Sequence, residues 1–321
     1  MKSKILGDSF IEFLIKYKTI LILLILVAIF TYLNNIFLHP RNLLILLRQS
    51  SVVAVTAFAM TFVITLGGLD LSVGSIAAFA GVFLAMLLRD GAGIPLALLA
   101  VVAASAGFGW FNGFVSVKGK IIPFLVTLAT MNIFRGIAMT LSLGRPIPIV
   151  NRGITATFGS GDVAGIPTPI FIVIIMFALT YFLFKHTKFG FYVRCIGSNA
   201  EAARVSGLPV NRIKILVYTM TGVYACVAGL ILASLMNAGI SDLGGTLALD
   251  AIAAVILGGT AITGGFGTVW GTLGGTLIMG TLNNGMSLLG AQSHHQMLVK
   301  GIVIILAVLM SNLIARRREN L

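Results

Sequence analysis

Apolar residues along this chain come in unbroken runs rather than in alternation with polar ones. A half-exposed strand would show a period of two, and a surface helix a single apolar stripe. Here the runs last about 17–25 residues, the length a helix needs to cross ~30 Å of hydrocarbon. They predict spans at roughly 19–37, 50–69, 71–88, 95–117, 121–143, 166–184, 213–237, 247–263, 268–289 and 296–314. In lipid, backbone N–H and C=O groups are satisfied only in helices or closed barrels, and long continuous runs select the helix. The expected fold is all-α: one transmembrane domain over 1–321, a polytopic helical bundle of about ten spans, with broken or re-entrant helices as an option.

The ambiguity lies in Met60–Leu88, an almost continuous apolar stretch interrupted by Gly67-Gly-Leu-Asp-Leu-Ser72. Two readings stand. One is a tight cytoplasmic hairpin; the other is a broken or re-entrant helix inside the protein, where irregular backbone at depth lines a cavity. Val63-Ile-Thr-Leu-Gly-Gly68 is echoed by Ala254-Val-Ile-Leu-Gly-Gly259, each followed by a glycine-containing helix. This is either a structural repeat of the kind transporters use or the common vocabulary of membrane helices. Gly258–Gly290 holds 11 of the chain's 37 glycines, and small residues let membrane helices approach closely.

Composition agrees with the pattern: 58% of residues are hydrophobic and 10% charged, with mean hydropathy +1.06. Soluble domains carry about 25% charged residues. The net charge of +13 raises nucleic acid as a partner, but the basic residues gather in the breaks between runs, as a membrane topology requires. With both termini cytoplasmic, fifteen basic residues fall inside: four in the tail 1–18 (Lys2, Lys4, Lys16, Lys18), Lys118 and Lys120, six from Lys185 to Lys214, and Arg316–Arg318. Five fall outside (Arg41, Arg48, Arg89, Arg145, Arg152), and this bias sets the expected orientation. No small-residue cleavage site follows the first run, so an uncleaved first helix is expected. Cys195 and Cys226 have no metal or redox spacing.

An ionised side chain at the bilayer centre costs at least about 2.5–3.5 kcal/mol, so such groups should face protein or water. By depth these are Asp70, Arg135, Asp250 and Lys300. Asp70 is either an N-cap for a helix starting at Leu71 or, with Ser72, part of a solute pathway. Asn112, Thr127, Thr130, Asn132, Asn283 and Asn284 are uncharged pathway candidates, for each of which a bond to a neighbouring helix is the alternative. The segment 185–214 is the longest cytoplasmic connection. Within it Ser198 or Asn199 is placed to cap a two-turn helix that carries Glu201 in its first turn and stops at Gly207. Such an Ala-rich helix either inserts its alanine face into a partner or is an ordinary basic loop against anionic lipid. The chain lacks Gly-x-x-x-x-Gly-Lys-Ser/Thr, and so has no phosphate-cradling ATP site of its own. It also lacks His-Glu-x-x-His and any Ser/His/Asp set, which excludes the familiar hydrolases. His294-His295 is an isolated pair at a helix end, and no metal or other cofactor is expected.

Several stretches together carry a family likeness. They are Gly68-Leu-Asp-Leu-Ser-Val-Gly-Ser75, Thr187-Lys-Phe-Gly190, Gly197-Ser-Asn-Ala-Glu-Ala-Ala-Arg-Val-Ser-Gly207, Leu249-Asp-Ala-Ile-Ala-Ala-Val-Ile-Leu-Gly-Gly-Thr260, Gly264-Gly-Phe-Gly267 and Leu282-Asn-Asn-Gly285. In this order the chain resembles the ribose/xylose/arabinose-type permeases of ATP-binding-cassette importers. The resemblance implies a transport subunit of the bacterial inner membrane, not an enzyme. It implies a second permease copy (identical or a close paralogue), a cytoplasmic ATPase, and a periplasmic or lipid-anchored sugar-binding protein. It assigns coupling to the ATPase to Asn199, Glu201, Ala202, Ala203, Arg204, Ser206 and Gly207. It makes the external loop 144–165, with Arg145 and Arg152, a candidate dock for the binding protein. The competing expectation is an ion-coupled secondary transporter of a small polar solute, for which Asp70 is the one suitable carboxylate.

Overall fold

The computed structural model describes the backbone of residues 2–319 and the side chains of residues 18–306, 308 and 309. The expectations for Lys2, Lys4, Lys16 and Arg316–Arg318 lie outside those described side chains. The helices are α1 (Lys2–Leu33), α2 (Pro40–Thr65), α3 (Val73–Arg89), α4 (Ile94–Lys118), α5 (Pro123–Ser142), α6 (Arg152–Thr155), α7 (Thr168–His186), α8 (Lys188–Ser198), α9 (Ala200–Val205), α10 (Val210–Met236), α11 (Leu247–Leu257), α12 (Val269–Leu288) and α13 (Ser293–Glu319). Four two-residue strands, β1 (Ile147–Pro148), β2 (Asp162–Val163), β3 (Ile166–Pro167) and β4 (Ala238–Gly239), are the only strands among the described residues. The helices α1–α5, α7 and α10–α13 fall one in each of the ten predicted runs, although α11 covers only part of its run. Of these, α2, α4, α5, α7 and α10 are long and apolar enough to cross a membrane by length and composition alone. The protein is an all-α, multi-pass membrane bundle.

α1 begins at Lys2 and ends at Leu33, so the expected tail 1–18 is largely helical. Two further boundaries differ from the sequence pattern for local reasons. α2 begins at Pro40 rather than near 50, because His39 caps it by accepting from Arg41 N and Pro40 fixes the first-turn geometry. Its 26 residues measure about 39 Å at 1.5 Å per residue. The expected span 247–263 is cut short at Leu257. With 11 residues, α11 is about 16 Å long, too short to cross ~30 Å of hydrocarbon.

The Met60–Leu88 ambiguity resolves as a hairpin whose turn is drawn inside the protein. α2 runs its full length, the chain reverses over 66–72, and α3 returns from Val73, with Asp70 and Ser72 wholly buried in the turn. Gly67 makes the reversal at φ +83°, a conformation without steric cost only for glycine. Gly67 N donates to Ile64 O and Gly68 N to Val63 O, both at 2.9 Å. The echo in the sequence is a structural one, shifted by one residue. At the end of α11, Gly259 (φ +92°) donates to Ile256 O at 2.9 Å and Thr260 N to Val255 O at 3.2 Å. The matching glycines are Gly67 and Gly259, because the positive φ sets the register and the neighbouring residue is free to vary.

The middle of α2 (Ser50–Thr65), α3, α10 and α11 form the buried centre, with α1, α4, α5, α7, α12 and α13 around it. Close helix contacts use small residues, as expected in lipid. A Cβ on Gly222 of α10 would overlap Ser105 O of α4, and one on Gly275 of α12 would overlap Ala254 O of α11. Polar pairs add to this packing: Thr61 to Thr272 at 2.7 Å and Thr180 to Tyr224 at 2.9 Å. At the end of the bundle opposite α8 and α9, β1 pairs antiparallel with β4. This ties the 144–165 segment to the α10–α11 connection.

Candidate functional site

The α2–α3 turn is the centre of a buried polar cluster drawn from three other helices. Asp70 Oδ1 accepts from Ser72 N at 2.9 Å and from Ser72 Oγ at 2.6 Å. Ser72 Oγ in turn accepts from Asn112 Nδ2 of α4 at 2.8 Å. Leu69 O receives Thr127 Oγ1 of α5 and the Tyr218 hydroxyl of α10, each at 3.4 Å. Thr130 Oγ1 continues the set by donating to Thr127 O at 3.3 Å. Five sequence candidates, Asp70, Ser72, Asn112, Thr127 and Thr130, are therefore brought together. The helix does not start at Leu71: Ser72 is the N-cap and Val73 the first helical residue. Asp70 thus holds the cap residue instead of acting as the cap. Asp70 Oδ2 and Asn112 Oδ1 are buried and find no hydrogen-bond partner among the described residues. The cluster sits about 9 Å, six residues at 1.5 Å each, inward from the Lys118 end of α4.

The remaining polar candidates lie elsewhere. Asn132 is on the exposed face of α5, its amide donating to Leu128 O at 3.2 Å. Asn284 of α12 is committed to a reciprocal amide pair with Asn42 of α2, at 2.9 and 3.0 Å. Its neighbour Asn283 is half-buried, with Oδ1 unpaired among the described residues. Asp250 and Lys300 form a buried ion pair at 2.9 Å between α11 and α13. Arg135 binds Asp242 Oδ1 at 3.0 Å and the Asp242 carbonyl at 3.2 Å. Tyr218 and Asn42 were not legible as polar partners in the sequence. Tyr218 sits in an apolar run and Asn42 in the break expected between two spans, and only the packing of α10 and α2 aims their polar atoms inward.

α9 stands at the end of the bundle that carries Lys118 and Lys185. Of the two cap candidates Asn199 is the one used: its Oδ1 accepts from Glu201 N and Ala202 N at 3.0 and 2.9 Å. Gly207 ends the unit at φ +81°. Glu201 and Arg204 pair at 3.0 Å on the surface. The alanines of α9 are divided between the two faces, with Ala202 exposed. Ala203 is only 5% exposed and packs into the chain itself. The outward surface consists of Glu201, Ala202, Arg204, Ser206 and, at 83% exposure, Val205. Val205 escaped sequence reasoning because a single valine among alanines gives no periodic signal. At the far end, Arg145 and Arg152 are both exposed on the segment that β1 anchors. His294 and His295 are exposed with ring centroids 4.1 Å apart, and no group of three potential metal ligands occurs among the described residues.

Residues 42–308 match the family described as branched-chain amino acid transport system, permease component. The chain is 40% identical to the ribose import permease protein of Haemophilus influenzae, over 99% of both chains. It is 44% identical to the ribose import permease protein of Bacillus subtilis over 90% of both. It is 38% identical to the L-arabinose ABC transporter permease protein of Azospirillum brasilense, over 90% of this chain and 85% of that one. No solved structure matches. The match runs from Asn42, the partner of Asn284, through the Asp70 turn and α9 to α13, so the chain belongs to this family of transport-system permease components.

Proposed function

We propose that this chain is the membrane-spanning permease of an ATP-driven importer that carries ribose or a related monosaccharide into a bacterial cell. The observation that carries the proposal is α9. A six-residue helix is too short to persist alone in water. This one is held by the Asn199 cap and the buried Ala203, and it presents Val205 outward between Glu201 and Arg204. An apolar knob rimmed by charge, on a chain with no ATP motif of its own, suits a groove in a separate cytoplasmic ATPase. Both termini then lie in the cytoplasm, consistent with the distribution of basic residues. Two permease copies enclose the pathway, and a soluble sugar-binding protein docks on the 144–165 segment. There Arg145 and Arg152 steer acidic partner groups.

Passage requires a sugar to exchange water hydrogen bonds for protein ones and still leave. Weak contacts serve conduction better than a tight midplane site, so affinity resides in the external partner. ATP closes the motor, α9 moves with it, and the inner end of the pathway opens or shuts. Asp70, Ser72, Asn112, Thr127 and Thr130 are proposed to form the inner boundary of that pathway. Asn132 and Asn283, on less buried faces, are its candidate lining.

A cysteine in place of Val205, in a chain with Cys195→Ser and Cys226→Ala, tests the docking. It is expected to cross-link to the ATPase in the assembled complex, whereas a cysteine in place of Val163 at the other end does not. Equal labelling of both positions, or of neither, overturns the assignment.

A further inference from the structure

Three segments far apart in sequence meet backbone to backbone at the foot of α8. A Cβ on Gly197, the penultimate residue of α8, would overlap the Thr65 carbonyl oxygen and stand 2.7 Å from Gly265 N. That same Thr65 carbonyl accepts a hydrogen bond from Gly265 N at 2.8 Å. A Cβ on Gly264 would stand 2.7 Å from Gly197 O and 3.1 Å from Gly67 Cα. Ser198 Cβ lies 3.2 Å from where a Gly265 Cβ would be. No layer of side chains separates 197–198, 264–265 and 65–67, and the contact exists only because glycines occupy the facing positions.

The junction lies between two features already described. On one side, Ser198 is followed at once by Asn199, the cap of α9. On the other, Gly67 opens the turn that buries Asp70 and Ser72. The loop 258–268 enters through Gly264 and Gly265 and leads directly into α12. Ordinary helix contacts pass through side chains that change rotamer and absorb small displacements. Backbone in van der Waals contact, pinned by a hydrogen bond, has no such slack.

We infer that the end of α8, the end of α2 and the 258–268 loop move as one rigid block, so that a displacement of α9 arrives undiminished at the Asp70 turn. Gly197, Gly264 and Gly265 are positioning residues for transport: they touch neither sugar nor nucleotide. The inference rests on the proposed reading of α9 as the element the ATPase moves. It goes beyond that reading in naming which part of the bundle moves with α9 and which residues transmit the motion.

The test uses the complete transporter, permease with ATPase and binding protein, in proteoliposomes. The permease carries Cys195→Ser and Cys226→Ala, with Thr65→Cys and Gly267→Cys added, which join the end of α2 to the 258–268 loop. Gly267 is not at positive φ, and its Cβ would stand 3.4 Å from Thr65 Cβ, close to the about 3.5–4.5 Å spanned by a disulfide, so oxidation should join them with a small adjustment. A block that stays together through the cycle predicts that the oxidised protein keeps at least about half of the reduced protein's uptake rate. Loss of uptake on oxidation, restored by dithiothreitol, shows that the segments separate during transport and overturns the inference. Failure of the pair to oxidise also overturns it, since it denies the contact.

A second variant, Gly197→Ala, forces the segments apart. It is expected to lower sugar carried per ATP hydrolysed by about tenfold or more while hydrolysis continues. A purely structural role would reduce the amount of complex and leave that ratio unchanged, which is the contrary result. If the permease without these substitutions shows no ATP-dependent uptake, it is the proposed function that fails, so the two failures are separable. Should Gly197→Ala not insert, the disulfide decides alone.

Discussion

Replacing either member of the Asn42–Asn284 pair should destabilise the bundle unequally, and the structure says in which order. Both residues are buried, and two reciprocal amide hydrogen bonds of 2.9 and 3.0 Å join α2 to α12. Asn42 has a further partner, because its amide also donates to Phe37 O at 2.8 Å. In Asn284→Leu the Asn42 amide therefore keeps a partner and only its Oδ1 is stranded. In Asn42→Leu, Asn284 loses partners for both its oxygen and its amide, and Phe37 O loses its donor. Stranding one buried polar group costs about 1–3 kcal/mol in water-soluble proteins. Interhelical hydrogen bonds in membranes average about 0.6 and reach about 1.7 kcal/mol, so the lower end applies. The expected losses are about 1–2 kcal/mol for Asn284→Leu and about 2–4 kcal/mol for Asn42→Leu. The double variant should lose less than the sum, because no polar atom of the pair remains to be stranded. Reversible unfolding in detergent micelles, with the four proteins compared as a double-mutant cycle, measures this. Equal single losses, the reverse order, or strict additivity would refute the reasoning. Asn284→Leu should also keep transport at a temperature where it is folded, since the Asn284 amide is engaged with Asn42.

Gly68→Ala should disable transport and Tyr218→Phe should restore it, because the added Cβ would stand 2.5 Å from the Tyr218 hydroxyl while its next neighbours, Val63 O and Cγ1, lie at ordinary contact distances of 3.5 and 3.6 Å; uptake by the single and double variants checks this, and no rescue would locate the fault elsewhere. Asp70→Asn keeps an oxygen to accept from Ser72 N and Oγ, so transport and thermal stability should survive, whereas Asp70→Leu strands the Ser72 N–H at about 1–3 kcal/mol. Complete loss of uptake in a folded Asp70→Asn protein would instead favour an ion-coupled mechanism that needs the charge. Lys300→Met leaves the Asp250 carboxylate buried without its cation, a loss of about 3–5 kcal/mol visible in detergent unfolding. Adding Asp250→Leu should recover most of it, and no recovery would mean the pair is not the source.

The helices were legible because crossing hydrocarbon demands a long apolar run, and each of the ten runs contains a helix, α11 filling only part of its own. α9 was legible because a cap, an acidic first turn and a stop glycine are local chemistry, and Asn199 and Gly207 perform as that chemistry requires. Facing was not legible. The alanines of α9 read as one face, yet Ala203 is buried against the chain while Ala202 is exposed and Val205 stands out, because which side of a short helix is covered depends on α8 and α10. The Asp70 cluster was half legible. Its polar members were nameable as intramembrane oddities, but Tyr218 enters only through the crossing of α10 over the turn. Nor did the apolar pattern end α11 at Leu257: residues 258–263 stay hydrophobic enough to extend a span, and the Gly259 reversal ends it. The off-by-one echo has the same origin, since a letter match aligns glycines while the fold aligns the glycine that bears positive φ.

Accumulation of labelled ribose in proteoliposomes, with ionophores present to collapse every ion gradient, tests the central claim most directly. With permease, ATPase and binding protein together, the account predicts that ATP drives uptake above the external concentration. Omission of either partner, or Val205→Glu on α9, should abolish it. Accumulation that needs an ion gradient and proceeds without the ATPase would contradict the account.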